Sequence, residues 1–306
     1  MASLTSLMPR RVPSLQRTER IDRLGWNAGT CFRAYGWRAG VRVNEPALLA
    51  QLSAYLPPGW RSSKSPDVDA VYSLWVGRER GGARGRFRVY AGCERRACTA
   101  DLGHALGVLE SEIRLGVASA ARGLTFVHAG VVGWRGRAVL VPGRSRSGKT
   151  TLVAELVRQG ALYLSDEFAV LDARGRVHPF AKPLSIRGAS GCDRHARRLA
   201  VEELGGRSGT RPLPVALVAF TEYREGAAWE PAVLSPGTAV LELLSHTVPA
   251  RLRPEESLLA LERVVSGASL LQSPRGDAAE TARRLLCAWT DAPLAADAPR
   301  PRGERR

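Results

Sequence analysis

The chain has 306 residues, of which 44% are hydrophobic, so it can form one large folded unit or two smaller ones. Its formal net charge is +16, but the arginines are scattered and are not gathered with aromatic residues into a stripe or an RNP-like segment, so we do not expect it to bind nucleic acid. No segment approaches the roughly 18 apolar residues of a membrane-spanning helix, and no membrane partner is expected. The five cysteines lack the spacing of a zinc site and are typical of reduced thiols in a cytoplasmic protein.

Composition divides the chain into four parts. Residues 1–24 contain five arginines and lack the apolar core of a signal peptide, so we expect a disordered basic leader. Residues 25–123 combine short β-like runs with a helix predicted at 100–121, which indicates a small α+β domain whose role the sequence leaves open. Residues 124–290 form the second predicted domain, and the proline-containing segment 291–306 is expected to be a disordered tail.

The second domain is predicted to be rich in strands at its start and helical at its end, within an α/β fold. Apolar runs predict strands at 124–128, 131–134, 137–141, 162–165, 169–171, 176–179 and 215–221. A helix is predicted over 151–160, where a glycine closes it. Further helices are predicted over 237–245, 254–266 and 278–289.

Between the strand at 137–141 and the helix at 151–160, the chain reads Gly-Arg-Ser-Arg-Ser-Gly-Lys-Thr, which matches the phosphate-binding pattern G-x-x-x-x-G-K-[ST] in its proper strand–loop–helix setting. Backbone N–H groups of such a loop and the helix N-terminus bind polyphosphate. Lys149 would reach the β- and γ-phosphates, and the Thr150 hydroxyl would help to hold Mg²⁺. The sequence therefore predicts an ATP and Mg²⁺ site whose nucleotide-binding residues are Gly143, Arg144, Ser145, Arg146, Ser147, Gly148, Lys149, Thr150 and Thr151.

A second motif follows the loop helix at once. The apolar run at 161–165 ends in Asp166 and Glu167, which has the form of a strand that delivers a carboxylate to Mg²⁺. The interval between Lys149 and Asp166 has room for one helix and a turn, so the acidic strand is the next element after the loop. Motor ATPases and GTPases usually place this carboxylate much further along the chain, and the spacing argues against that class.

These motifs resemble HPr kinase/phosphorylase and its group of related bacterial kinases. In that family a His-Gly-Val segment lies one β-hairpin before the phosphate loop, and paired acids follow the loop helix. Here the corresponding pieces are His128 within Val-His-Ala-Gly-Val, the loop itself, and Ser165-Asp166-Glu167. The resemblance covers about residues 124–187 and implies a P-loop, HPr-kinase/carboxykinase-like C-terminal domain behind the small α+β domain.

The resemblance also implies roles for particular residues. Asp166 matches the family acid that takes the proton from the acceptor hydroxyl, and Glu167 matches the acid that helps to hold Mg²⁺ together with Thr150. His128 matches the histidine beside the phosphates, where it stabilises charge or assists the base.

The chain departs from the family downstream of these motifs. Ser185 stands where the family has a metal-binding glutamate, although Lys182 or Arg187 could bring positive charge to the phosphates. The glycine- and arginine-rich segment that grips HPr is not recognisable, and Arg224 is at best a weak substitute. We therefore expect a kinase-like relative and not a regulator of sugar transport.

The leading hypothesis is an ATP-dependent kinase that transfers the γ-phosphate to a serine-type hydroxyl of a protein or peptide. One alternative is a kinase or carboxykinase-like enzyme that acts on a small molecule. Another is a nucleotide-binding module with little catalysis, for which Glu167 and Ser185 are the motivation. A nucleic-acid-dependent ATPase is a further alternative. Because the family often oligomerises, a homo-oligomer is also expected.

Overall fold

A computed structural model describes residues 15–78, 84–144, 147–186 and 197–290. The protein has a mixed α/β architecture with mixed sheets, as the sequence predicts in general terms. The first region contributes these helices and strands: α1 Leu15–Asp22, β1 Ala28–Ala34, β2 Trp37–Val43, α2 Leu49–Leu52, β3 Arg61–Ser62, β4 Ala70–Arg78, β5 Arg84–Ala91, β6 Glu94–Thr99 and α3 Leu102–Ala120. No described helix is both long and apolar enough to cross a membrane.

The second region begins with strands and ends with helices, as predicted. Its first half contains β7 Leu124–Trp134, β8 Arg137–Pro142, α4 Lys149–Arg158, β9 Leu162–Ser165, β10 Phe168–Asp172, β11 Arg176–His178 and β12 Leu184–Ile186. Its second half contains β13 Arg197–Leu199, β14 Leu213–Tyr223, β15 Ala232–Val233, α5 Pro236–Ser245, α6 Pro254–Ser266, β16 Ser269–Arg275 and α7 Ala278–Thr290.

Within the described residues, the first sheet has six strands in the order β3-β1-β2-β4-β5-β6. Alternate side chains of its central strands are buried, and the apolar stripe of α3 packs on that face through residues such as Leu109 and Ile113. Helix α1 corrects the predicted disordered leader, because residues 15–22 are helical. Ile21 is buried, and Asp22 accepts a hydrogen bond from Arg42 at 2.7 Å. The rest of the leader and the predicted tail lie outside the described residues.

The other face of this sheet brings arginines and tryptophans together. The Arg42 guanidinium lies 4.6 Å from the centroid of the Trp26 ring, and that of Arg88 lies 4.8 Å from Trp75. These are two separate pairs and not a stripe of arginines and aromatic residues. Trp75 and Arg88 are direct partners in the register of the β4–β5 hairpin.

The second sheet carries the glycine-rich loop (residues 143–150). Over the described part of the chain, its order is β11-β10-β7-β8-β14-β16-β15, with β9 paired to β7. Strand β7 is one continuous strand and not the two predicted, because residues 124–128 pair with β10 and residues 129–134 pair with β8. Strands β8, β14 and β16 are parallel, so their carboxyl ends meet at the edge where the loop begins.

The two regions share one hydrophobic core. Phe126, Phe168 and Phe180 of the second region belong to the same buried cluster as the inner face of the first sheet. Tyr35 lies 5.5 Å from Phe126 and 5.7 Å from Phe180 between ring centroids, and Phe126 meets Phe168 edge-on at 5.7 Å. The boundary predicted at residue 124 is therefore crossed by continuous aromatic packing.

We expect Phe126→Ala to destabilise both regions together. Its side chain is fully buried in the shared cluster, and truncation of a buried phenylalanine costs about 3–5 kcal/mol. Urea denaturation followed by near- and far-UV circular dichroism should give one lowered transition. Leu241→Ala, at an exposed position of α5, is the control and should change stability by about 0.5 kcal/mol or less. Two separate transitions in Phe126→Ala would contradict a shared core.

Candidate functional site

The glycine-rich loop connects the end of β8 to the start of α4. Gly148 has φ +80, a left-handed conformation that favours glycine, and a side chain there would collide with the Arg275 guanidinium. The buried Lys149 donates hydrogen bonds from Nζ to the carbonyls of Gly143 at 2.8 Å and Arg144 at 2.6 Å. Burial lowers the pKa of Lys149, and Glu167 and Asp166 oppose this effect. The lysine side chain therefore folds back across the loop at the helix N-terminus.

The other loop residues have different exposures. The Ser147 hydroxyl is buried and has no hydrogen-bond partner among the described residues, which leaves a polar group that a ligand oxygen would satisfy. The side chains of Arg144 and Thr151 are exposed. Ser145 and Arg146, both predicted to bind nucleotide, lie outside the described residues.

Asp166 lies against the start of α4 and is surrounded by polar partners. Its Oδ2 accepts a hydrogen bond from Thr150 Oγ1 at 3.3 Å. Its Oδ1 lies 3.0 Å from the Tyr163 hydroxyl and 3.2 Å from Lys182 Nζ. The Asp166 and Lys182 side chains are 2% and 6% exposed, so this is a buried ion pair. The structure thus brings together the loop and the acidic strand that the sequence placed in succession.

Glu167 is more accessible than Asp166, with a side chain that is 25% exposed. Its Oε2 lies 3.8 Å from Arg114 Nη1 of α3 and 3.9 Å from Lys182 Nζ. Burial alone would raise the pKa of Glu167, but Arg114, Lys182, His128 and Lys149 outweigh it, and the pKa is lowered. Glu167 is therefore ionised at neutral pH.

His128 lies on β7 directly beside the loop. Its backbone carbonyl accepts a hydrogen bond from Gly143 N at 3.2 Å, and its ring lies 4.7 Å from the Phe168 ring centroid. Burial lowers the pKa of His128 below its usual range, and Glu167 opposes this effect. The imidazole is therefore neutral at pH 7 and can act as a hydrogen-bond donor or acceptor.

The sequence analysis missed Arg275, at the end of β16. This side chain is 2% exposed, and its Nη2 donates to the Gly148 carbonyl at 2.8 Å. The guanidinium also lies 5.8 Å from the ring centroid of the exposed Tyr223. Strand β16 was not predicted because its sequence Ser-Leu-Leu-Gln-Ser-Pro-Arg has little apolar periodicity. Its position between the helices α6 and α7, where an α/β fold commonly has a strand, is the signal that could have indicated it.

The sequence also singled out four residues after the acid pair. Of these, Lys182 lies at the acid pair, whereas Ser185 is exposed on β12. Arg224 is exposed and pairs with Glu222 at 2.9 Å. Arg187 lies outside the described residues. In the described ranges, no group of three or more His, Cys, Asp or Glu residues could hold a metal ion.

A cavity of about 220 Å³ lies beside the acid pair, between the two regions. We call it the interregion cavity. Both Arg114 and Lys182, the cations that contact Glu167, line it. The remaining lining includes Pro57, Trp60, Glu110 and Arg198.

Comparison with protein-family models and with curated proteins finds no match to this chain. The likeness to HPr kinase/phosphorylase therefore depends on three short motifs and their spacing, and it stays a prediction.

The buried Asp166–Lys182 pair predicts strong coupling in a double-mutant cycle. Lys182→Met leaves a buried carboxylate without its cation, which we expect to cost about 3–5 kcal/mol. The double variant with Asp166→Asn should lose less than the sum of the single losses, by roughly 0.5–3 kcal/mol, as measured by urea denaturation. The control is the Arg197–Glu203 pair, whose side chains are 76% and 47% exposed, where coupling below about 1 kcal/mol is expected. Additive losses at the buried pair would refute the coupling.

The lowered pKa of His128 predicts a loss of stability in acid. The folded state binds its proton less readily than the unfolded chain, so this stability is present above the usual histidine pKa and is lost as the pH falls through the folded value. His246, whose pKa is also lowered by burial, acts in the same direction. Thermal unfolding from roughly pH 7 to pH 5 should show a shallower loss in His128→Gln than in the wild type. The exposed His104→Gln is the control, and parallel curves for His128→Gln would contradict the prediction.

Proposed function

We propose that the protein is an ATP-dependent kinase that transfers the γ-phosphate to a serine-type hydroxyl of a protein or peptide. The observation that carries the proposal is the direct contact between Thr150, at the end of the glycine-rich loop, and Asp166 of the acid pair. Phosphoryl transfer needs a phosphate cradle, a cation, a divalent metal and one positioned base. Candidates for each of these lie together in this site.

The residues present fit Mg²⁺ and a nucleotide phosphate. Neighbouring oxygen ligands of octahedral Mg²⁺ lie about 3 Å apart, and Thr150 Oγ1 and Asp166 Oδ2 are separated by 3.3 Å. Mg²⁺ commonly takes only one or two protein carboxylates and completes its shell with phosphate oxygens and water, so a larger cluster of acidic residues is not required. The unpaired Ser147 hydroxyl suits a phosphate oxygen.

Each residue would have a defined task. Bound Mg²⁺-ATP would supply the γ-phosphoryl group and neutralise its charge. Lys149 Nζ would exchange the two loop carbonyls for phosphate oxygens, since it already lies across the loop. The neutral His128, next to the loop, would donate a hydrogen bond to a phosphate or help to orient the base. Arg275 would hold the Gly148 peptide in place through its hydrogen bond to the Gly148 carbonyl.

The acid pair would divide two tasks, metal binding and proton abstraction. Both Asp166 oxygens already have partners, and its contact with Thr150 favours the metal. Glu167 is more accessible and adjoins the interregion cavity through Arg114, which favours it as the base. This division is the reverse of the roles implied by the family resemblance, and substitution of each acid can distinguish the two.

A small-molecule kinase is the second candidate. The cavity next to the acid pair is lined by Arg114, Arg198 and Lys182 and is partly open to solvent. Such a lining suits a compact anionic acceptor as well as a single residue of a peptide.

The test combines Mg²⁺-ATP binding by calorimetry with transfer of labelled γ-phosphate into a lysate of the source organism. Lys149→Ala should bind Mg²⁺-ATP about 10- to 100-fold more weakly, since it removes a charged hydrogen-bond donor. An acid that serves as base should, when changed to its amide, keep nucleotide affinity and lose transfer by about 10²–10⁴-fold. An acid that holds the metal should lose both, and Asp166→Asn and Glu167→Gln are compared for this purpose.

The exposed Lys64→Ala is the control and should behave as wild type. Unchanged Mg²⁺-ATP binding in Lys149→Ala would overturn the assignment of the loop. Tight binding without any transfer from the wild type would favour the nucleotide-binding module.

A further inference from the structure

The interregion cavity is built by both regions. A turn in which Trp60 N donates to the Pro57 carbonyl at 3.2 Å forms one wall. Helix α3 adds Glu110 and Arg114, and the second region adds Lys182 and Arg198. Arg198 joins the parts, because it donates to Glu110 Oε2 at 2.8 Å and to the Ala54 carbonyl at 2.9 Å. The first region thus contributes side chains to a cavity beside the acid pair.

Two cations that line the cavity also contact the acid pair. Lys182 contacts both Asp166 and Glu167, and Arg114 contacts Glu167. Neither acid lines the cavity, so a group held in it would be separated from the carboxylates by the Lys182 and Arg114 side chains. An acceptor hydroxyl must come within hydrogen-bond reach of the base, and it would have to extend past these two cations to do so.

The size of the cavity limits what can enter. Its volume of about 220 Å³ corresponds to roughly seven water molecules and is below the roughly 300–1,000 Å³ of pockets for drug-sized ligands. The walls at Pro57 and Trp60 are apolar or aromatic. The cavity is partly open to solvent, and its volume matches one amino-acid residue or a free molecule of that size.

The charge of the lining selects an anion. Three cations and one carboxylate line the cavity, an excess of two positive charges. In the free protein Asp166 and Glu167 balance this excess; under the proposed function they are occupied by Mg²⁺ and the acceptor proton. Because Arg114 Nε is buried, a carboxylate in the cavity would meet the Nη atoms of Arg114 and Arg198. These atoms now donate to Glu110, Ser111 and the Ala54 carbonyl, and the carboxylate would exchange such contacts for a bidentate one.

We propose that the interregion cavity is the acceptor site, and that it binds a group of one-residue size that carries a carboxylate next to the acceptor hydroxyl. The inference rests on the proposed function. In the reaction, the acceptor oxygen forms a bond to the γ-phosphorus while the bond from that phosphorus to the bridging oxygen of ADP breaks. The hydroxyl proton passes to a carboxylate of the acid pair, and ADP is the leaving group.

The test compares matched acceptors that differ only in charge, with the full chain and Mg²⁺-ATP. N-acetylserine and N-acetylserinamide represent a free hydroxy acid; a short peptide that ends in serine and the same peptide with a C-terminal amide represent a peptide whose last residue carries both groups. We expect the charged member of one pair to be phosphorylated with about tenfold higher kcat/KM. The pair that shows the preference identifies the source of the carboxylate.

Arg198→Gln should abolish most of this preference by raising KM for the charged acceptor about tenfold, while KM for ATP stays the same. Arg197→Gln, the exposed neighbour, is the matched control. If Arg198→Gln does not fold, Arg198→Lys keeps the charge without the bidentate geometry and should also reduce the preference. Trp60→Ala should weaken the binding of charged and neutral acceptors equally, because it removes an aromatic wall of the cavity and not a charge.

Equal kcat/KM within both pairs, or a preference that persists in Arg198→Gln, would overturn the inference. Absence of label in every probe would also count against it. The proposed function is tested separately. A protein band in the lysate that is labelled by wild type and not by Lys149→Ala supports the kinase activity even when the acceptor site is refuted. Labelling that does not depend on Lys149 would refute the proposed function.

Discussion

The buried carboxylate of Asp166 is the constraint on which the site depends. A buried charge without partners costs several kcal/mol, and three groups from separate segments satisfy this one. Thr150 belongs to the first turn of α4, Tyr163 to β9, and Lys182 to the chain after β11. Each partner must be held within hydrogen-bond distance, so the loop helix, the acidic strand and the following segment have one relative arrangement. This pairing therefore fixes the acid beside the glycine-rich loop.

The first region takes part in the same arrangement. Aromatic packing of Tyr35 against Phe126 and Phe180 joins it to the second sheet, and this packing brings α3 close enough for Arg114 to contact Glu167. The same packing thus completes a shared core and places a cation of α3 beside Glu167. The role that the sequence left open for residues 25–123 has a physical candidate in the cavity between the regions.

Sequence patterns were informative where the signal is local. The helix at 254–266 was predicted to the residue, and the strand before the glycine-rich loop was predicted to within one, because apolar periodicity and turn residues act over a few positions. Prediction was wrong for the helix at 15–22, whose Ile21 is buried and whose Asp22 pairs with Arg42 of β2, and for β7, whose continuity depends on two different partner strands. Neither set of contacts can be recognised from neighbouring residues.

The sequence by itself determined the glycine-rich loop between strand and helix, the acids that follow the next strand, and the strand-rich start and helical end of the second region, since these are matters of local pattern and spacing along the chain. Only the tertiary structure decided that Arg275, Arg114 and Lys182 surround that loop and those acids. It also decided that arginines and tryptophans meet on the outer face of the first sheet. These contacts join residues from separate segments of the chain, and the free energy that selects them comes from burial and charge pairing, to which local propensity contributes little.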